Sequence, residues 1–343
     1  MTARLIMSQP EIDRDRARWF VERRKGIGAS EIAAVLGLAP ESYGSAFALF
    51  TAKQSGFDWD EDNDSKLWGR FVEPYVSDVF ARNYPSLSLL GGGLYQSVER
   101  PWQLATFDRL AFDVDEWGIR SDELTEVEER YALSRAVPVQ IKSSATEEGW
   151  GEPGTGQIPV HYRAQCLQEM DVADAHAVWV PVLFPPHKVV TYVILRTQDV
   201  EEDIQLLREA GEEFIMRLMN DDPPPIDWTS ATAAALRTLH PVKPSTTAEI
   251  PKFLAKRYRR AQLAKSVSKQ RLKQVENEIR GRIGGADRAV VKVAGRDMTV
   301  LTRRVSHPER VDIGLLRQQR PEIAKEFTKT GTVDALYPGK YAK

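Results

Sequence analysis

Three polar residues stand inside apolar, strand-like runs, where a polar side chain needs a reason. They are Asp108 in ATFDRLAFD, and Gln140 and Lys142 in VPVQIKSS. Alternate residues of a strand project to one side, so Gln140 and Lys142 point together while Val139 and Ile141 point away. An aspartate carboxylate and an amide carbonyl are hard oxygen donors of the kind a divalent ion such as Mg2+ takes. A lysine beside such an ion positions or helps deprotonate an attacking water, or holds a scissile phosphate. Taken alone, the triplet reads better as the solvated face of an edge strand.

Other segments add to the set. WGRFVEP places Glu73 on a helix upstream, as a further carboxylate for the same ion or as an ordinary surface glutamate. Tyr162 and Gln165, three residues apart on a helix, share a face and are able to orient a ligand or a phosphate. In RRKGIGASEIAAVLG, Arg23, Arg24 and Lys25 stand just ahead of a glycine turn and a helix start. Backbone N–H groups at a helix N-terminus favour anions, and a guanidinium grips phosphate in a bidentate manner.

The elements that must position these residues follow from periodicity. A short helix is predicted over 30–36, with Ser30 as its N-cap and Gly37 as its stop. Helices near 44–54 and 68–83 follow, the second placing Phe71, Val72, Val76, Val79 and Phe80 on one apolar face. Strands are predicted over 94–98, 104–114 and 137–143, with a polar, acidic loop around 116–129. A helix over 160–172, strands over 175–183 and 189–195, and an amphipathic helix over 200–219 complete a mixed α/β pattern in which helices cover a central sheet. Beyond Pro223, Pro224 and Pro225 the chain stays rich in Pro, Ser and Thr, which marks a linker over 223–250. A long helix over 251–282 then carries Leu254, Tyr258, Ala261, Leu272, Val275 and Ile279 at alternating spacings of 4 and 3, interrupted by Lys265 and Ser268. A hairpin turning at Gly295 and a polar tail end the chain.

Composition narrows the class. Hydrophobic residues at 42% and charged residues at 28% describe an ordinary globular protein, and 343 residues suggest two units. No run approaches the roughly 20 apolar residues of a membrane helix, and the first residues lack a signal-peptide pattern, so a cytoplasmic location is expected. Cys166 is the single cysteine, which excludes an intrachain disulfide and a thiolate zinc cluster. The net charge of −2 hides an asymmetry: residues 252–304 hold 16 Lys or Arg against 4 Asp or Glu. A basic arm on an acidic body suggests a polyanion for the arm, or equally a solvated helix face.

In this order the motifs resemble the YqaJ-type viral recombinase nucleases, a family similar to the lambda exonuclease within the PD-(D/E)XK superfamily. The resemblance spans roughly residues 16–220. It implies a PD-(D/E)XK nuclease domain over 1–222, with a central mixed sheet flanked by helices, and a basic arm with long helix and small hairpin over 251–343. By the same resemblance Arg24 and Ser30 are terminal-phosphate contacts, and Glu73 is the acid of a G-x-x-x-E helix. Asp108 is the metal-binding aspartate, Gln140 and Lys142 hold the E-x-K positions, and Gln165 is the glutamine of a Y-x-x-Q helix beside Tyr162. Metal ligands would be Asp108, the Gln140 side-chain carbonyl, the Ile141 backbone carbonyl and Glu73. The resemblance further implies Mg2+ or Mn2+, hydrolysis of double-stranded DNA from duplex ends in the 5′ to 3′ direction, a ring-shaped homo-oligomer such as a trimer, and a phage single-strand annealing protein as partner. Gln140 departs from the family's glutamate and removes one negative charge from the metal shell. Two alternatives therefore stand beside the exonuclease: a structure-specific or nicking endonuclease with the same site, and a catalytically weak or inactive DNA-binding protein.

Overall fold

A computed structural model describes residues 3–41, 43–56, 64–113, 135–243, 245–307, 312–328 and 335–339. The acidic stretch expected as a loop around 116–129 lies outside the described residues. The chain divides into two compact units, Met1–Pro241 and Val242–Lys343.

The first unit is a mixed α/β body, as the alternation of patterns predicts. In chain order it runs β1 (Ala3–Ser8), α1 (Gln9–Arg14), α2 (Arg16–Arg24), β2 (Ile27–Gly28), α3 (Ala29–Val35), α4 (Ala46–Ser55) and α5 (Asp64–Asn83). Then come β3 (Leu87–Ser97), β4 (Gln103–Asp113), β5 (Val137–Val139), β6 (Lys142–Ser143), α6 (Val160–Ala173), β7 (Ala177–Phe184), β8 (Lys188–Leu195), α7 (Gln198–Met219) and α8 (Ser230–Leu239). One eight-stranded sheet has the order β1-β3-β4-β5-β7-β6, with β2 paired to β4 and β8 to β7. Strand β4 is antiparallel to both β3 and β5, and β5 and β6 run parallel to β7.

Both faces of β7 are covered, which explains its nearly continuous apolar sequence AVWVPVLF. Val178, Val180 and Val182 pack with Ile32, Leu49, Leu167, Met170, Ile204 and Phe214 from the helices on one side. Leu183 packs on the other side with Val72 and Val76 of α5 and with Ile141. Helix α5 buries Val72, Val76 and Phe80, but Phe71 is 77% exposed and does not belong to the buried face predicted for it. At 100° per residue Phe71 lies a full step off the Val72–Val76 row, and the sheet reaches only that row.

Two further expectations change. The run 137–143 is not one strand: it breaks at Gln140 and Ile141 because the Ile141 N–H turns to a side-chain carboxylate instead of a ladder carbonyl. The segment 223–250 contains α8, whose Ala235 packs with Phe47 and Ala48 of α4, and whose Thr232 hydroxyl lies 2.7 Å from that of Ser45. The short apolar spacing of SATAAALRTL is helical despite its Ser and Thr content, with Thr229 capping the first turn.

The second unit holds a long helix α9 (Lys252–Ile283), the hairpin β9 (Arg288–Val293) with β10 (Arg296–Thr302), and two short helices, α10 (Ile313–Gln319) and α11 (Pro321–Glu326). Gly295 has φ +77°, the left-handed conformation the hairpin turn requires. The two short helices replace the polar tail expected there. No helix among the described residues is long and apolar enough to cross a membrane.

Candidate metal and phosphate site

Strand β4 delivers Asp108 to the break between β5 and β6. Asp108 Oδ2 accepts hydrogen bonds from Gln140 Nε2 at 2.7 Å and from the Ile141 backbone N–H at 2.8 Å. The Gln140 N–H itself donates to the Trp179 carbonyl on β7, 2.8 Å away, so the break is pinned from both neighbouring strands. Gly92 on β3 lets that strand lie against β4 at this point: a Cβ there would stand 1.8 Å from the Phe107 carbonyl oxygen.

Gln140 is 4% exposed, and its Oε1 is buried with no hydrogen-bond partner among the described residues. A buried carbonyl oxygen without a donor is an unsatisfied acceptor, and a cation beside it would satisfy it. Asp108 carries a pKa pushed up to about 6, chiefly by burial and also by Glu73, against the pull of Lys142 and the Ile141 N–H. A carboxylate held this high gains from a nearby divalent charge. The donor chemistry of Asp108, Gln140 Oε1 and the Ile141 carbonyl therefore fits a hard cation. Glu73 lines the same cavity, but its Oε1 accepts from Arg109 NH1 at 2.8 Å, so its charge is already balanced. Among the described residues no group of three His, Cys, Asp or Glu side chains is placed to hold a metal. The amide of Gln140 accounts for part of that sparseness.

Lys142 lines the same cavity as Gln140. Its Nζ donates to Gln165 Oε1 at 3.0 Å and lies 4.9 Å from the centroid of the Tyr162 ring. Tyr162 and Gln165 thus share the face of α6 that meets the lysine. Burial raises the Tyr162 hydroxyl to about 12, so it stays a neutral hydrogen-bonding group.

Helix α6 also brings in a residue that sequence reasoning missed. Glu169, one turn beyond Gln165, is fully buried and accepts from Gln165 Nε2 at 2.9 Å through Oε1, while Oε2 has no partner. Burial, reinforced by the charge of Asp108, raises its pKa to about 8 even though Lys142 opposes the shift. Glu169 is therefore a neutral acid at pH 7. Its signal in the sequence was the i, i+4 spacing from Gln165, masked because glutamate in QEMDVAD reads as a solvated helix position.

A cavity of about 380 Å³ opens over Asp108, Gln140, Ile141, Lys142 and Gln165. Arg16, Arg23 and Arg70 line it together with Ser30, Glu73, Asp108 and Lys142. Arg23 NH2 donates to Ser30 Oγ at 3.1 Å and pairs with Glu31 at 3.2 Å. Arg16 and Arg23 lie 5.0 and 4.6 Å from the Trp19 ring centroid, which holds both guanidiniums in a stacked arrangement. The arginine beside Ser30 at the cavity is thus Arg23. Arg24, the residue assigned to the terminal phosphate from the sequence, is exposed, does not line the cavity and has its guanidinium near Gly56. Adjacent residues on α2 are 100° apart, so only one arginine of the pair faces inward. The spacing 16, 19, 23 places Arg16, Trp19 and Arg23 on one helix face, the one that lines the cavity. Ser30 also differs from its predicted role as N-cap: the cap is Gly28, whose N–H donates to Glu31 Oε2 at 2.7 Å. That leaves the Ser30 hydroxyl for Arg23 and the cavity.

Residues 18–176 match the family described as the YqaJ-like viral recombinase domain. Among solved structures, the chain is similar to an alkaline exonuclease, LHK-Exo, from Laribacter hongkongensis: 16% identity over 60% of this chain and 94% of that one, with a TM-score of 0.44. The same enzyme in complex with dAMP aligns at 15% identity over 65% and 97%, TM-score 0.43. A structure described as SSO0001 aligns at 12% identity over 68% and 97%, TM-score 0.30. No curated protein matches.

Proposed function

We propose that this chain, whose residues 18–176 match the YqaJ-like viral recombinase domain, is a divalent-metal-dependent DNA nuclease that acts at duplex ends with 5′ to 3′ polarity. The observation that carries the reading is the convergence of Asp108, Gln140 and Ile141 at the strand break, with Gln140 Oε1 buried and unpartnered and Lys142 beside it. Asp108, Gln140 Oε1 and the Ile141 carbonyl would hold Mg2+ or Mn2+, with Glu73 joining once it leaves Arg109. Such an ion, when bound, polarises the phosphate and lowers the pKa of water.

The protein's own groups account for the rest. Lys142, steadied by Gln165 and the Tyr162 ring, directs its ammonium into the cavity where it holds the attacking water or a phosphate oxygen. Arg23 and Ser30, with Arg16 at the rim, offer guanidinium and hydroxyl donors to a terminal phosphate. Cys166 is buried with its thiol raised well above the usual range and is not available as a nucleophile.

Digestion of end-labelled linear duplex with and without Mg2+ tests the reading. Asp108→Ala and Lys142→Ala are each expected to abolish cleavage while leaving the circular dichroism spectrum unchanged, and digestion by either variant at the wild-type rate refutes the assignment. A covalently closed plasmid in the same assay separates an end-dependent exonuclease from an endonuclease using the same site.

A DNA-binding protein without turnover is the second reading. One observation favours it: among the described residues Asp108 is the single carboxylate that meets Gln140 and Ile141, and Glu73 is engaged by Arg109. Calorimetric titration with Mn2+ decides, because a chain that binds no Mn2+ at millimolar concentration belongs to this second class.

A further inference from the structure

Helix α9 runs for 32 residues and buries none of them. Part of its apolar surface nevertheless forms a seam, with Phe253, Leu263 and Val267 outside it. Leu254, Tyr258, Leu272 and Val275 are 42, 36, 61 and 50% exposed on one face, at the alternating spacings of 4 and 3 that two packed helices require. A stripe of this kind left in water needs a cover.

We propose that the cover is α9 of a second copy of this chain, packed antiparallel as a two-stranded coiled coil. The inference is independent of the reaction proposed above. With the seam residues taken alternately as d and a of a heptad, an antiparallel pair centred between Ser266 and Val267 places every a opposite a d. Leu254 then meets the partner's Ile279, Tyr258 meets the partner's Val275, and the small Ala261 meets the large partner's Leu272. The two polar interruptions, Lys265 and the partner's Ser268, fall opposite each other at the centre. There the lysine stem lies over a small side chain and its ammonium reaches water.

Charge points the same way. The helix carries 11 Lys or Arg and only Glu276 and Glu278 as acids, so most alignments of two copies set like charges together. The antiparallel register instead sets Arg257 against the partner's Glu278 at flanking positions, and by symmetry does so twice. It places no two cations opposite each other beside the seam. Six of the 11 cations occupy the outward positions and take no part in the pairing. A parallel pair would oppose Lys265 to the partner's Lys265 and leave a gap between two copies of Ala261.

Cysteine cross-linking of the full chain tests the register. Ala261→Cys and Leu272→Cys lie 11 residues apart on one helix, about 16 Å, too far for a bond within a chain. The double variant is expected to form a covalent dimer on mild oxidation, while each single variant stays monomeric on a non-reducing gel. Native Cys166 is buried and serves as the internal control. Dimer formation by the single variants, or none by the double variant, overturns the proposal. As a second measurement, Arg257→Glu is expected to weaken self-association at least tenfold by sedimentation equilibrium, and the exchange R257E with E278R to restore it. An exchange variant as weak as R257E also overturns it.

Discussion

Replacing Glu169 by Gln removes an ionisable group from behind Gln165, which lines the site, without changing its shape. The amide still offers Gln165 Nε2 an oxygen in place of the acceptor now 2.9 Å away. In the folded chain Glu169 holds its proton to about 8, whereas its ordinary value is 4.5. A folded-state pKa above the unfolded one means that stability is full at low pH, falls as the unfolded chain ionises above 4.5, and stops falling once the folded group ionises near 8. The whole interval corresponds to about 5 kcal/mol, of which about 3 kcal/mol is lost by pH 7. Glu169→Gln has no such loss. The variant is therefore expected to match the wild type to within about 1 kcal/mol at pH 5, and to exceed it by about 3 kcal/mol at pH 7 and about 5 kcal/mol at pH 9. Urea unfolding followed by tryptophan fluorescence measures this directly, because all 8 tryptophans lie in the first unit and report on it alone. A difference between the two proteins that stays constant from pH 5 to pH 9 refutes the reasoning, since it would mean that Glu169 ionises in the fold as it does in water.

Asp108, raised to about 6, must lose its proton to bind a cation, so Mn2+ affinity is expected to fall as pH drops below 6 with release of one proton; calorimetry in buffers of different ionisation enthalpy counts that proton. Arg23→Ala is expected to remove most of the preference for 5′-phosphorylated over 5′-hydroxyl ends while Arg24→Ala keeps it, and the opposite result would return the phosphate to Arg24. The buried Asp171 pairs with Arg100 and Arg208 and accepts from Gln103 at 2.8 Å, so Asp171→Ala strands those cations and is expected to cost about 3–5 kcal/mol in urea unfolding. A chain ended after Pro241, which keeps α8 on α4, is expected to bind duplex DNA with a flatter salt dependence, having lost the basic unit; an unchanged slope places the phosphate contacts elsewhere.

The order of motifs and the periodicity of the runs carried a large part of this structure. Helical spacing joined Tyr162 to Gln165, and the amphipathic pattern of α7 marked a helix that covers a sheet. These are properties of a few neighbouring residues, set by backbone geometry that every chain shares. The heptad seam of α9, with its interruptions at Lys265 and Ser268, was legible for the same reason.

Tertiary structure decided the rest, where identity depends on what a residue meets across the fold. Which of Arg23 and Arg24 faces the cavity depends on the rotation of α2 about its axis, fixed by the packing of the buried Trp19 with Met7, Leu94 and Leu104 and by the ion pair of Arg23 with Glu31 of α3. That Glu169 is a neutral acid depends on the sheet and helices that exclude water from it, 61 residues from Asp108 in sequence. The break in the strand at Gln140 exists because Asp108, 32 residues earlier, captures both the amide and the next backbone N–H. A local pattern states which groups point together. The desolvation and long-range hydrogen bonds that set their charge and chemistry arise only when distant segments close around them.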